Sequence, residues 1–184
     1  MANFENSFNN SLKFLTGYSI DNRDASEILF NIDRKTNHDL KIWSILDSIL
    51  EKFKPLSKAK FSKIMEECLK NEELMNNIKE YFRENYWNKI HGDEIYSQFI
   101  ADNLYDCSIN RTPKEAIILI QKCLKRIIQD GIMDKKTLQL INSVNQTQLN
   151  NAIVERRLDY IRRYTESIVV RQVMENRVRS FYKR

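Results

Sequence analysis

Glycine and proline are nearly missing from this chain: its 184 residues hold only 3 Gly and 2 Pro. Sandwiches and barrels need turn signals about every ten residues, so the scarcity excludes them and favours long helices. Cysteine is scarce as well. Cys68, Cys107 and Cys123 are odd in number and lack CxxC spacing, which argues against a disulfide framework or zinc site and for buried free thiols in a reducing compartment. With only His38 and His91 and no HExxH, we expect no metal and no cofactor. No stretch approaches the roughly 18 apolar residues of a membrane span, the longest candidate being Ala116–Ile120. The tract MANFENSFNNSLKFLTGYS lacks a basic region followed by an apolar one, so the expectation is synthesis in the cytoplasm without a signal peptide.

What is present is enough to fold. A hydrophobic content of 42% can fill a core, and 184 residues fit one domain. The 30 Lys and Arg against 25 Asp and Glu leave a formal charge of +5. That excess suits an anionic partner (cell-wall polymer, membrane surface or nucleic acid) without selecting one, and suits a merely soluble basic surface equally well.

Helical spacing runs through the chain. Phe4, Phe8, Leu12 and Leu15 mark a first helix ending near Gly17, and Ser19–Asp24 reads as a polar loop. Residues 27–53 contain a second helical region, with Leu40, Trp43, Ile45, Leu46, Ile49, Leu50 and Phe53 on one broad face, broken by Pro55. Phe61, Ile64, Met65, Cys68 and Leu69, then Leu74, Ile78, Tyr81 and Phe82, continue the pattern. A helix spans Ile95–Asn110. Thr112, Pro113 and Glu115 form a helix-start signature ahead of Ala116, Ile117 and Ile120. Asp130-Gly131 is a turn, Asp134–Ile141 a short helix, and one long Arg-rich helix runs from about Thr147 to Tyr182. The fold class expected is therefore all-α, in a single domain with a long C-terminal helix.

Several tracts, in order, resemble the glycoside hydrolase family 108 muramidases, also called secretion activator proteins. That family opens with a helix leading into Glu-Gly-Gly-Tyr; here the helix leads into Leu15-Thr16-Gly17-Tyr18, followed by Asp21 and Asp24. Tyr86-Trp87-Asn88 with Gly92-Asp93 is similar to its Tyr-Trp-Asp and following turn. Ala101–Asn110 is similar to its Ala-x-x-Leu-Phe-Asp-x-x-Val-Asn. Gln121, Asp130-Gly131 and Thr137-Leu138 match a further tract, and Arg157…Tyr160 and Asn176-Arg177-Val178 match its end. The three glycines, Gly17, Gly92 and Gly131, all fall on turns of the pattern, which implies positive φ or close backbone approach. The resemblance implies a lysozyme-like helical fold, with a muramidase-like region over 1–110 and a peptidoglycan-binding-like region over 111–184, packed as one unit.

The departures bear on chemistry. In the family the Glu of Glu-Gly-Gly-Tyr is the general acid, and glycoside cleavage needs a proton donor at the leaving oxygen. Leu15 stands in its place and can neither give nor take a proton; losing a positioned acid removes on the order of 10²–10⁴-fold in rate. The Gly-Gly-x-Thr loop is replaced by Ser26-Glu27-Ile28-Leu29. Arg111, Asp134 and Met174 replace a Gly, a Gly and a Trp. The resemblance thus implies no catalytic residue, with Asp21, Asp24 and Glu27 as the carboxylates that would have to substitute. Candidate glycan contacts are Tyr18, Tyr86, Trp87, Asp106 and Asn110. Each has a structural alternative: Leu15 as core, the aromatics as packing, Asp106 and Asn110 as hydrogen bonds to a loop.

Three functions follow. The first is a catalytically degenerate muramidase-like protein that binds peptidoglycan or serves as an adaptor in a cell-wall-associated assembly (secretion system, flagellar motor or phage), acting in the periplasm or wall. The second is an active muramidase with a displaced carboxylate. The third is a basic helical nucleic-acid-binding or regulatory protein; lacking a base-reading helix signature, the chain is not expected to bind nucleic acid.

Overall fold

The helix-favouring composition yields a predominantly helical protein with one small sheet. The computed structural model describes residues 1–15, 17–125 and 127–183. In chain order the elements are α1 (Phe4–Leu12), β1 (Tyr18–Ile20), β2 (Glu27–Leu29), β3 (Ile32–Asp33), α2 (Ile42–Leu50), α3 (Phe61–Lys70), α4 (Glu72–Phe82), α5 (Gln98–Asn110), α6 (Pro113–Gln121), α7 (Lys135–Ser143), α8 (Gln146–Tyr164) and α9 (Ile168–Arg179). The chain divides into two compact units, one of residues 11–82 and one of residues 1–10 with 83–184. Among the described residues no helix is long and apolar enough to cross a membrane.

In the 11–82 unit the sheet is antiparallel in the order β1-β2-β3, with Tyr18 opposite Leu29 and Leu29 opposite Ile32. The stretch 27–53, expected to contain a helical region, opens on a hairpin over residues 27–33, and its helix begins at Ile42. The reason is local. Phe30 and Asn31 both adopt positive φ, 49° and 65°, giving the two-residue turn whose twist matches paired strands. A bulky side chain rarely adopts that conformation; burying Phe30 at 3% exposure offsets the strain. The polar loop expected over 19–24 is likewise partly strand, since β1 reaches Ile20. Behind the sheet elements, α2 buries Ile42, Trp43, Leu46, Ile49 and Leu50, and α4 buries Leu74, Ile78 and Phe82 at four-residue steps. Asn71 separates α3 from α4, its side chain accepting from the Leu74 amide at 2.9 Å.

In the other unit the helix-start signature holds: the Thr112 hydroxyl accepts from the Glu115 amide at 3.1 Å and Pro113 opens α6. Asp134 caps α7 in the same way, accepting from the Thr137 amide at 2.7 Å. Gly131 has φ 77°, as its turn requires. The single long terminal helix expected from the spacing is instead two helices. Thr165 is extended, and Ser167 caps α9 by accepting from the Val170 amide. The chain folds back, so that Val178 packs with Val154, Leu158 and Ile161, and Met174, Phe181 and Tyr182 cover them. The stripe read from Ile168 and Val173 is therefore not buried; these side chains are 79% and 65% exposed.

Candidate functional site

Leu15, Tyr18, Asp21, Asp24 and Glu27 lie in the 11–82 unit. After α1 ends at Leu12, the Phe14 and Leu15 amides bond back to the carbonyls of Ser11 and Leu12, tightening the chain into a turn. Leu15 is therefore not the next step of the α1 stripe, as the spacing had implied, but it is buried, at 8% exposure. Thr16, its neighbour in the motif, lies outside the described residues. The Tyr18 amide donates to the Met65 thioether, fixing the start of β1 against α3. The Tyr18 ring, 4% exposed, meets Phe61 edge-on at 5.0 Å.

Tyr18 and Glu27 are brought together. They sit near the ends of the paired strands β1 and β2, and the Tyr18 hydroxyl donates to Glu27 Oε1 at 2.7 Å. Arg34 donates to Glu27 Oε2 at 2.5 Å and grips Asp47 with two bonds of 2.7 Å. Burial, then the adjoining Glu27 carboxylate, push the Tyr18 phenol well above its ordinary range. The Asp47 carboxylate holds Arg34 firmly charged, and Arg34 in turn lowers Asp47. Both oxygens of Glu27 thus face donors.

The other two carboxylates lie on the β1–β2 connection, each with its own cation. Asp21 accepts from the Arg23 side chain and amide, and those bonds hold it at about 2. Asp24 pairs with Lys35 at 2.9 Å and accepts from the Ser26 amide, which lowers it too. Beside them is a hollow of about 280 Å³ lined by Asp24, Ala25, Ser26, Glu27, Arg34 and Lys35. A general acid needs a proton to give near neutral pH. Asp21 and Asp24 are ionised there, Glu27 is committed to a phenol and a guanidinium, and Leu15 has no proton at all. The arrangement sets paired charges along the β1–β2 connection.

These pairings predict a pH dependence. Asp21, Asp24 and Asp47 have folded values below the unfolded value of about 3.9, so their pairings stabilise the fold above that pH and are lost as pH falls toward their folded values. In thermal melts, the gap between wild type and Arg34→Ala should narrow as pH drops from about 5 to about 2. A gap that stays constant would show that Asp47 gains nothing from Arg34.

The remaining candidates belong to the other unit. Trp87 is fully buried: its indole N–H donates to Asp93 at 2.9 Å, and its ring meets Phe4 and Tyr105 at 5.8 Å each. It has no exposed face for a sugar, so packing is its role. Tyr86, beside it in a π-helical turn over Arg83–Trp87, is half-buried. Asp106 is 2% exposed and accepts from Arg157 and, at 2.6 Å, from Arg177. Arg157 also donates to Asn103 Oδ1 at 2.6 Å, Asn103 to Asn150 at 3.0 Å, and Asn150 to the Phe181 carbonyl at 2.7 Å. Asn110, at the exposed end of α5, donates to the Asp106 carbonyl at 2.6 Å. Asp106 therefore wires helices together inside the unit instead of lining a cleft.

Sequence reasoning missed Arg34 and Asp47, which lie outside every motif tract. A charge pair thirteen residues apart, from the end of β3 to the middle of α2, leaves no periodic signal.

Neither a family model nor a curated protein matches this chain. Ten solved chains do. One is the structure of Brucella abortus SagA, 19% identical, with a TM-score of 0.61 over 98% of this chain and 96% of that one. At that identity the likeness establishes a shared fold.

Proposed function

We propose that the protein is a catalytically silent muramidase-like fold that binds peptidoglycan, or docks a partner, in a cell-wall-associated assembly. In this reading residues 1–110 are the degenerate muramidase-like region and residues 111–184 the peptidoglycan-binding-like region. The observation that carries it is the buried aliphatic Leu15 at the general-acid position, with each nearby candidate carboxylate held by a cation. The ordered motif tracts and the fold shared with SagA over nearly the whole chain support it further. Tyr18 would act by orienting Glu27, and the half-buried Tyr86 is the aromatic left to meet a glycan.

The test uses purified murein sacculi. The protein should sediment with sacculi and leave their turbidity unchanged over hours, whereas an active lysozyme clears them. Clearing by the wild type, abolished by Glu27→Gln or by Asp21→Asn, would establish a displaced acid and overturn the reading.

A further inference from the structure

Helices α6 and α8 flank a second hollow, of about 410 Å³, distant in sequence from Leu15 and the carboxylates Asp21, Asp24 and Glu27. That volume falls in the range of small-molecule sites. Its floor is a stack: the Arg111 guanidinium lies 3.6 Å from the centre of the Tyr160 ring, and Tyr160 meets Tyr164 at 4.6 Å. Arg111 is held there by Glu115 at 2.8 Å, and its Nε is buried without an acceptor among the described residues. Arg156 is also committed, donating to the Lys122 carbonyl at the end of α6 at 2.8 Å.

Three charges on the rim have no such employment. Lys122, Arg163 and Asp159 line the hollow and form no ion pair or side-chain hydrogen bond among the described residues. The lining carries four cations (Arg111, Lys122, Arg156, Arg163) against two carboxylates (Glu115, Asp159). A concave surface with surplus positive charge concentrates anions. Tyrosine faces suit the apolar face of a saccharide ring, and a carboxylate accepts hydroxyl hydrogens, which a bare phosphate site has no use for.

We infer that this hollow binds an acidic sugar, a saccharide ring bearing a carboxylate or a phosphate. The acid group meets Lys122 and Arg163, the ring lies against Tyr160 and Tyr164, and a ring hydroxyl donates to Asp159. The site rests on the reading of residues 111–184 as the glycan-binding region, and it uses none of Leu15, Tyr18 or Glu27, so its failure is distinguishable from a return of hydrolysis.

Titrations of the full chain, followed by tyrosine fluorescence and by NMR, use N-acetylmuramic acid, glucosamine 6-phosphate, neutral N-acetylglucosamine and inorganic phosphate. At least one acidic sugar should saturate, the carboxylated one marking a wall-glycan source and the phosphorylated one a free sugar phosphate. Lys122→Ala with Arg163→Ala, both at exposed positions, should weaken it by about tenfold or more. Asp159→Ala should weaken the acidic sugar while leaving inorganic phosphate unaffected or tighter. The inference is overturned by neutral sugar binding as well as the acid, by phosphate alone matching the acidic sugars, or by no acidic sugar binding at millimolar concentration.

Discussion

Replacing Asp106 with alanine should destabilise the fold by about 3–5 kcal/mol, the cost of stripping one partner from a buried ion pair. Asp106 is a buried anion bonded to two guanidiniums, of which Arg157 is 6% exposed and Arg177 14%. Without it, two positive charges share a dry interior and Arg157 keeps only the Asn103 oxygens. Small domains are stable by about 5–15 kcal/mol, so the variant should sit close to the unfolding threshold. Asp106→Asn is the informative companion. It keeps the shape and the acceptor oxygen but not the charge, and should recover only part of the loss. Arg177→Ala should cost less than Arg157→Ala, because Arg177 can be replaced by water from its exposed side. Urea denaturation followed by circular dichroism ranks all four. Had Asp106 been a glycan contact in an open cleft, alanine would leave the denaturation midpoint untouched.

Trp87→Ala should be comparably severe, at about 3–5 kcal/mol for a buried Trp. The indole has no exposed surface, and its removal deletes contacts with Phe4 and Tyr105 and the bond to Asp93, which keeps its pairing with Arg83. The neighbouring backbone records how tightly the ring is seated. A Cβ on Gly92 would lie 2.3 Å from two ring carbons, so no other residue fits there without moving the indole. This result also separates two readings that sequence alone leaves open. If Trp87 stacked on sugar, its loss would weaken sacculus binding and spare stability. The expected order is the reverse: a large drop in the thermal midpoint, with any binding loss following from unfolding.

Much of the fold was legible because its signals are local. Thr112-Pro113 with Glu115, the Asp134 cap and the Gly131 turn each depend on a few adjacent residues. Where the sequence misled, local signals were overridden. The hairpin at 27–33 hid because Phe30 takes a backbone conformation that its side chain disfavours, tolerated only through burial in the folded protein. The break at 165–167 hid because Ile168 and Val173 continue the spacing of α8 while pointing into solvent. For the candidate site, motif matching located Tyr18 and Glu27 but could not supply their partner Arg34. The same matching found Asp106, Arg157, Arg177 and the Gln121–Gly131 pair, and of the two roles open for Asp106 its bonds serve the structural one. Gln121, 1% exposed, accepts from the Gly131 amide at 2.9 Å and donates to Asp130 and the Ile132 carbonyl at 3.0 Å. What these tracts encode is the interior wiring of a fold.

The carboxylate shared by α5, α8 and α9 also constrains descent. Any lineage that loses Asp106 inherits two guanidiniums without their shared anion, and is rescued by exchanging Arg157 and Arg177 for neutral side chains. Across distant cousins the three positions should be inherited or abandoned as a block, while surface loops drift one residue at a time.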